Sequence, residues 1–199
     1  MLFNSVDFFL FLPIVFAIYW AIQRSLRLQN TFLVLASYIF YGWWDWRFLG
    51  LIIFSTLLDY TLSRNMTKVK LWLSLIGNLG VLGFFKYYNF FLESWIDAWG
   101  SIGVEMYAST MKIILPVGIS FYTFQTLSYS IDVYRGKLKP TKDPIAFAAF
   151  VGFFPQLVAG PIERAVKLLP QLESPRIFDF KYAVTGLRLI LWGMFKKVV

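Results

Sequence analysis

Four polar side chains recur at helical spacing along the apolar stretch 113–131 and just beyond its end. Tyr122, Gln125, Tyr129 and Asp132 follow the spacing i, i+3, i+7 and i+10, which places them within an arc of roughly 80° on a helix. Polar groups on one face of an apolar helix must face protein or water rather than lipid. The stripe therefore predicts either hydrogen bonds that hold neighbouring helices together or one wall of a hydrophilic path for a substrate.

Much familiar chemistry is excluded because the 199 residues contain no histidine and no cysteine. Serine–histidine and cysteine–histidine nucleophile pairs, HExxH zinc sites and disulfides are all impossible within this chain. The segment 118–122 (GISFY) resembles the start of a Gly-x-Ser-x-Gly nucleophile elbow, but it lacks the second glycine. Ser120 is therefore rejected as a nucleophile and retained only as a candidate for lining the substrate path. No metal-ligand cluster is recognised, and Asp59 is given a structural role.

A second unusual segment follows at 145–159, where an apolar run is interrupted by Pro155 and Gln156 and followed directly by Gly160 and Pro161. Proline removes a backbone N–H and breaks the helical hydrogen-bond ladder. Irregular backbone at membrane depth occurs only where it is buried in protein or lines a watery cavity. These four residues are therefore candidates for the floor of the same path. The segment either crosses the membrane or re-enters it, and re-entry is favoured because it keeps the basic residues of the following stretch 164–181 on the cytoplasmic side.

Composition decides the environment of these elements. Hydrophobic residues make up 58% of the chain and charged residues only 15%, against about 25% charged in ordinary soluble domains. A soluble domain of this size could not hide so much apolar surface, so the sequence predicts an integral membrane protein surrounded by the lipid bilayer. The fold class predicted is all-α: a polytopic bundle of transmembrane helices. The net charge of +8 is interpreted as a topology signal rather than as a nucleic-acid surface.

The apolar runs define the predicted bundle as the N-terminal part of one membrane domain over 1–199. We predict spans near 6–22, 31–44, 48–62, 71–88 and 113–131, the re-entrant segment 145–159 and a span that begins at 182. That last run is still apolar at Val199, without a cap or breaker. It is therefore expected to be truncated.

Basic residues are distributed unevenly between the predicted connections. Nine Lys and Arg residues fall in the first, third and fifth connections, whereas one falls in the N-terminal tail, the second connection and 89–111 together. The positive-inside rule then places the N-terminus outside and the basic connections in the cytoplasm, with Asp132 and Arg135 near the cytoplasmic mouth of the path. An anionic donor could be attracted by basic residues on this side, although the topology bias alone explains them equally well; the candidates are Lys137, Lys139, Lys142, Lys196 and Lys197.

Several segments together resemble the membrane-bound O-acyltransferases, in particular the bacterial branch that acetylates alginate. They follow in the expected order over essentially the whole chain: 2–5 (LFNS), 41–43 (YGW), 115–125 (LPVGISFYTFQ), 129–135 (YSIDVYR), 153–162 (FFPQLVAGPI) and 193–199 (GMFKKVV).

The resemblance implies a multi-spanning enzyme of the cytoplasmic (inner) membrane whose helices surround a tunnel. Such an enzyme takes an acyl group from a cytoplasmic thioester, such as acetyl-coenzyme A, and holds no bound cofactor or metal. The acceptor is a hydroxyl of an exported polysaccharide, often reached with a separate periplasmic acetyltransferase. The essential histidine of the family lies beyond the third signature block and has no counterpart here, so the 199 residues are expected to be inactive alone.

Two other classes remain as alternatives. A transporter or polymer-export channel would share the topology and the polar stripe, but it should show an internal repeat and a carboxylate at mid-span, which we do not find in this sequence. A non-catalytic scaffold subunit would need no histidine. Reading the coding sequence beyond the codon for Val199 would discriminate among the three.

Overall fold

The computed structural model describes residues 3, 5–103, 113–157 and 160–198; most of these residues are helical, and none of them lies in a strand. The first four helices are α1 (Val6–Ala21), α2 (Leu26–Asp45), α3 (Leu49–Ser63) and α4 (Lys68–Gly100), with a 3₁₀ turn over Trp46–Phe48. The remaining helices are α5 (Ile119–Tyr134), α6 (Pro144–Gly152), α7 (Phe154–Leu157), α8 (Ala165–Glu173) and α9 (Phe180–Val198). The all-α fold class is confirmed for the described residues.

Local sequence explains where several of these helices begin. Ser5, Ser25 and Thr67 each accept a hydrogen bond from the backbone N–H three residues later, which caps α1, α2 and α4. Asp143 accepts from the N–H groups of Ile145 and Ala146 and caps α6. These side chains satisfy amide groups that have no partner inside the helix.

The helix α4 is longer than the span predicted at 71–88, because it continues without a break to Gly100. It is the one helix in the described part of the chain that is long and apolar enough to cross a membrane. Its 33 residues correspond to about 50 Å, well beyond a hydrocarbon core of about 30 Å. The connection predicted at 89–111 is therefore helical up to Gly100, and 104–112 lie outside the described residues.

The helix α5 is shorter than the predicted span 113–131 at its beginning, since residues 113–118 are not helical. Pro116 cannot donate a backbone hydrogen bond, and proline disfavours the helical conformation for the residue before it. Gly118 has φ +79°, a left-handed conformation that interrupts a right-handed helix. The apolar run thus enters α5 through an irregular segment that the hydropathy pattern did not predict.

The predicted broken segment consists of two helices, α6 and α7, which are separated at Phe153. Pro155 supplies the reason, because it has no N–H to donate to the carbonyl one turn earlier. Val158 and Ala159, at the end of the predicted re-entrant segment, lie outside the described residues.

The core of the bundle forms around α6, whose Phe147 and Phe150 are fully buried. The helices α2, α3, α5 and α8 pack around it, and the ring of Phe147 lies 4.7 Å from that of Tyr129 on α5. The outer surface is strongly apolar, since α4 and α9 expose many large side chains, including Trp72, Trp95 and Trp192. Such a surface is typical of contact with lipid or with other protein.

Candidate functional site

The helix α5 occupies the centre of the candidate site and begins against the broken segment. A Cβ atom on Gly118, the N-terminal cap of α5, would lie 2.8 Å from the carbonyl oxygen of Leu157 in α7. The positive φ of Gly118 and this close approach both require glycine. The hydroxyl of Tyr41 on α2 donates to the carbonyl of Val117 at 2.7 Å and fixes the irregular entry.

Two members of the polar stripe hold α5 to its neighbours. The side-chain amide of Gln125 donates to the carbonyl of Phe150 in α6 at 2.7 Å. The hydroxyl of Tyr129 accepts from the N–H of Thr141 at 3.1 Å and lies 3.2 Å from the hydroxyl of Ser63. Both side chains are buried, so these hydrogen bonds connect α5 to α6, to α3 and to the loop before α6.

Tyr122, one turn from the start of α5, has different surroundings. Its side chain is 1% exposed, and its hydroxyl has no hydrogen-bond partner in the described part of the chain. The Oε1 atom of Gln156 in α7 is likewise buried without a partner there. A buried polar atom without a hydrogen bond costs about 1–3 kcal/mol, so these two atoms are candidates for a hydrogen bond to another molecule. A third such atom, Oε1 of Gln29, lies on α2.

The other predicted path residues lie on the same two segments. Ser120 is half-buried in the first turn of α5, and Asp132 is buried in the last turn. The backbone carbonyl of Asp132 accepts hydrogen bonds from the N–H groups of Lys137 at 2.9 Å and Leu138 at 3.3 Å, which closes the end of the helix. Pro155 and Pro161 are exposed. Gly160 allows a tight turn, since a Cβ there would lie 2.8 Å from the Cα of Gln156.

The predicted donor-side cations lie on the surface: Arg135, Lys137, Lys139, Lys142 and Lys196 are all exposed. The Lys196 ammonium lies 5.1 Å from the ring centre of Trp192. The side chain of Lys197 is outside the described residues. In the described part of the chain, the one ion pair joins Arg47 to Asp45 at 2.8 Å, and its hydrogen bonds hold the pKa of the Asp45 carboxyl below its usual range.

Sequence reasoning missed a second polar face of α5, which meets a buried polar cluster. We call this the three-helix polar cluster, and it comprises one pair from each of α3, α4 and α5: Ser55 and Asp59, Ser74 and Asn78, and Thr126 and Ser130. All six side chains are buried. The members of each pair are four residues apart and therefore share a helix face. That repeated spacing of small polar residues is the signal that could have found the cluster.

The hydrogen bonds of the cluster converge on the carboxylate of Asp59. Asn78 donates to it at 2.8 Å and Ser130 at 3.0 Å, and Ser74 donates as well. Ser55 in turn donates to the side-chain oxygen of Asn78. The structural role predicted for Asp59 is consistent with this arrangement, which links three helices through one acceptor.

No group of three or more His, Cys, Asp or Glu residues that could hold a metal ion is present in the described residues. The hydroxyl of Tyr122 on α5 and the Oε1 of Gln156 in α7 are buried without partners in the described residues, whereas neighbouring donors already occupy the carboxylate of Asp59.

Comparison with known proteins gives close agreement along almost the whole chain. It is 40% identical over 204 aligned positions to the probable alginate O-acetylase AlgI of Azotobacter vinelandii, covering 98% of this chain and 40% of that protein. The protein of the same name from Pseudomonas aeruginosa is 39% identical over 98% of this chain and 38% of its own length. A peptidoglycan O-acetyltransferase of Helicobacter pylori is 32% identical over 100% of this chain and 44% of its own length.

The chain thus spans about two fifths of the length of the curated relatives it matches. No protein-family model matches it, and no solved structure matches it significantly. The resemblance to alginate O-acetylases drawn from the sequence is confirmed by these relatives.

Proposed function

We propose, from the homology of this chain to alginate O-acetylases, that it forms part of a membrane-bound O-acyltransferase that acetylates hydroxyls of an exported polysaccharide. The observation that carries this proposal is the 39–41% identity over 98% of the chain to proteins named alginate O-acetylase. The acetyl donor is a cytoplasmic thioester such as acetyl-coenzyme A. The acceptor is alginate, served on the outer side by a periplasmic acetyltransferase partner.

On this proposal, the chain supplies the path and another part of the enzyme supplies the base. Deprotonation of an acceptor hydroxyl requires a general base, and none of these 199 residues is a histidine. Tyr122 and Gln156, whose buried polar atoms have no partner in the described residues, support a role in contacting the transferred group or its acceptor. The 199 residues alone would then be inactive.

A second acceptor has its own support. The Helicobacter pylori relative, 32% identical over the whole chain, is named a peptidoglycan O-acetyltransferase. Peptidoglycan, like alginate, presents sugar hydroxyls outside the cytoplasmic membrane. The same path would serve both acceptors. The choice between them would then rest on residues outside these 199.

Transfer of radiolabelled acetyl groups tests the proposal directly. The natural full-length protein, in membrane vesicles with its periplasmic partner, is given labelled acetyl-coenzyme A and either alginate or peptidoglycan. We expect label on the hydroxyls of one polymer. Each histidine outside these residues is then replaced by alanine in turn, and replacement of the essential histidine should abolish the labelling. Absence of label on both polymers would contradict the proposal, and altered polymer export in the same vesicles would favour a transporter.

The proposed arrangement in the inner membrane, multi-pass with the N-terminus outside, can be tested with single cysteines. The chain contains no natural cysteine in its 199 residues, so each introduced thiol is the sole target in this part of the protein. A maleimide that cannot cross the membrane should label Ser101→Cys in intact spheroplasts but not Lys139→Cys; both positions are exposed in the structure. Ser174→Cys tests whether 145–159 re-enters the membrane or crosses it. Its thiol should be protected from the maleimide only if this segment does not cross.

A further inference from the structure

A surface cavity of about 360 Å³ lies between the end of α3 and the loop that precedes α6. We call it the α3-end cavity, and its lining consists of Thr61, Arg64, Asn65, Pro140, Thr141 and Lys142. Its size falls within the range of small-molecule sites. Two of the six residues are cations and none is acidic, so the cavity has a positive character.

Neither cation of the α3-end cavity forms an ion pair in the described part of the chain. In the described part of the chain, the one ion pair is formed by Arg47 and Asp45; neither the Arg64 guanidinium nor the Lys142 ammonium is within reach of a carboxylate. Two carboxylates that contact the loop before α6 have other partners. Asp143 accepts two backbone N–H groups at the start of α6, and Glu173 accepts from the hydroxyl of Thr141.

The wall of the cavity opposite α3 is held in place by two hydrogen bonds. The hydroxyl of Tyr60 donates to the carbonyl of Lys142 at 2.9 Å, and the N–H of Thr141 donates to the hydroxyl of Tyr129 at 3.1 Å. Thr141 is only 4% exposed. Because Tyr129 belongs to the polar stripe of α5, the cavity lies at the end of that stripe.

We propose that the α3-end cavity binds a phosphate-bearing group. A phosphate carries the negative charge that two unpaired cations require, and the fork of an arginine guanidinium matches its oxygens. The amide of Asn65 adds a neutral donor to the same wall. The phosphate comes either from the nucleotide end of an acyl thioester or from the headgroup of an anionic phospholipid. The first source depends on the function proposed above, and the second does not.

Binding measurements on the natural full-length protein in detergent test this inference. Adenosine 3′,5′-bisphosphate is titrated calorimetrically as the donor probe, and unfolding temperatures are compared in nanodiscs of phosphatidylglycerol and of phosphatidylcholine as the lipid probe. The test variant is Arg64→Gln with Lys142→Gln. The matched control is Arg24→Gln with Arg27→Gln, which removes the same charge from two exposed positions outside the cavity.

We expect the cavity variant either to bind the bisphosphate at least roughly tenfold more weakly or to lose the increase in unfolding temperature in phosphatidylglycerol nanodiscs. In both cases the reason is the loss of charge-assisted hydrogen bonds. Loss for the bisphosphate assigns the donor as the source, and loss confined to phosphatidylglycerol assigns the lipid. Arg64→Lys, which keeps the charge, should recover part of the affinity. Unchanged binding of both probes, or an equal loss in the control, would overturn the inference.

Two further measurements keep the outcome clear. If the double variant does not fold, Lys142→Gln alone is measured, since this side chain is exposed and its loss should still weaken binding about threefold to tenfold. Binding of either probe requires no acetyl transfer. An inactive protein that still binds through Arg64 and Lys142 would therefore contradict the proposed function and leave the cavity assignment standing.

Discussion

Two buried polar regions of this bundle share α5 but differ in how their hydrogen bonds are satisfied. In the three-helix polar cluster, the Asp59 carboxylate accepts from Ser74, Asn78 and Ser130, so that three side chains from α4 and α5 share one acceptor on α3. By contrast, the hydroxyl of Tyr122 on α5 and the Oε1 of Gln156 in α7 are buried but have no partner in the described residues. Satisfied polar groups fix an arrangement of helices, whereas unsatisfied ones cost stability and are retained only for another purpose.

The comparison predicts that substitutions in the first region act on stability, and that substitutions of the unpaired groups in the second act on function. Four substitutions test it, beginning with the largest expected effect on the free energy of unfolding.

Replacing Asp59 by alanine should cause the largest loss of stability, about 3 kcal/mol or more. The substitution removes the acceptor of three buried hydrogen bonds, and each buried polar group left unsatisfied costs about 1–3 kcal/mol. Thermal or chemical unfolding of the full-length protein in detergent measures the effect. Asp97→Ala on α4 is the matched control, because Asp97 is exposed and should change stability little; an equally small effect at Asp59 would break the comparison.

Gly118→Ala should lower the free energy of unfolding by about 2–3 kcal/mol, because it disturbs the start of α5, the helix that both regions share. The left-handed φ of +79° is unfavourable for alanine by about 1–2 kcal/mol, and the new Cβ would meet the Leu157 carbonyl oxygen at 2.8 Å. The control is Gly80→Ala on α4, where no atom lies within 4 Å of the added Cβ and alanine favours the helix. Gly80→Ala should therefore be neutral or stabilising, and an equal loss at both glycines would argue against the close approach.

How far the sequence predicts these features depends on whether a signal is local. The helical spacing of Tyr122, Gln125 and Tyr129 is local, and all three side chains are buried, as expected for a polar stripe on an apolar helix. The break before Pro155 is also local, because one missing N–H interrupts the ladder.

Features that arise from pairing between distant segments were not predicted. Ser55, Asn78 and Ser130 become partners of one cluster only when α3, α4 and α5 pack together, and each is an ordinary small polar residue by itself. The α3-end cavity joins Arg64 to Lys142 across more than seventy positions of the chain. Hydropathy also did not predict where two helices begin or end, since it detects neither the continuation of α4 to Gly100 nor the irregular entry at Gly118.

Tyr129→Phe should cost about 1–2 kcal/mol of stability. The phenol oxygen accepts from the N–H of Thr141 and lies 3.2 Å from the Ser63 hydroxyl. Without it, the buried N–H of Thr141 loses its acceptor, whereas the Ser63 hydroxyl keeps its hydrogen bond to the Tyr60 carbonyl. Unfolding in detergent is again the measurement. A stability equal to that of the natural protein would show that the satisfied part of the stripe does not hold the helices together.

Tyr122→Phe is the matched substitution at the unpaired end of the same stripe, and it should leave stability unchanged or slightly higher. The same atom is removed as in Tyr129→Phe, from a side chain just as buried, but here the hydroxyl has no partner in the described residues and its burial is a cost rather than a gain. If the hydroxyl contacts the acyl group or its acceptor, acetyl transfer by the full-length enzyme should fall by roughly three- to tenfold, the value of one hydrogen bond. A stable Tyr122→Phe protein with full activity would assign the hydroxyl no part in transfer, and a destabilised one would mean that Tyr122, like Tyr129, holds the bundle together.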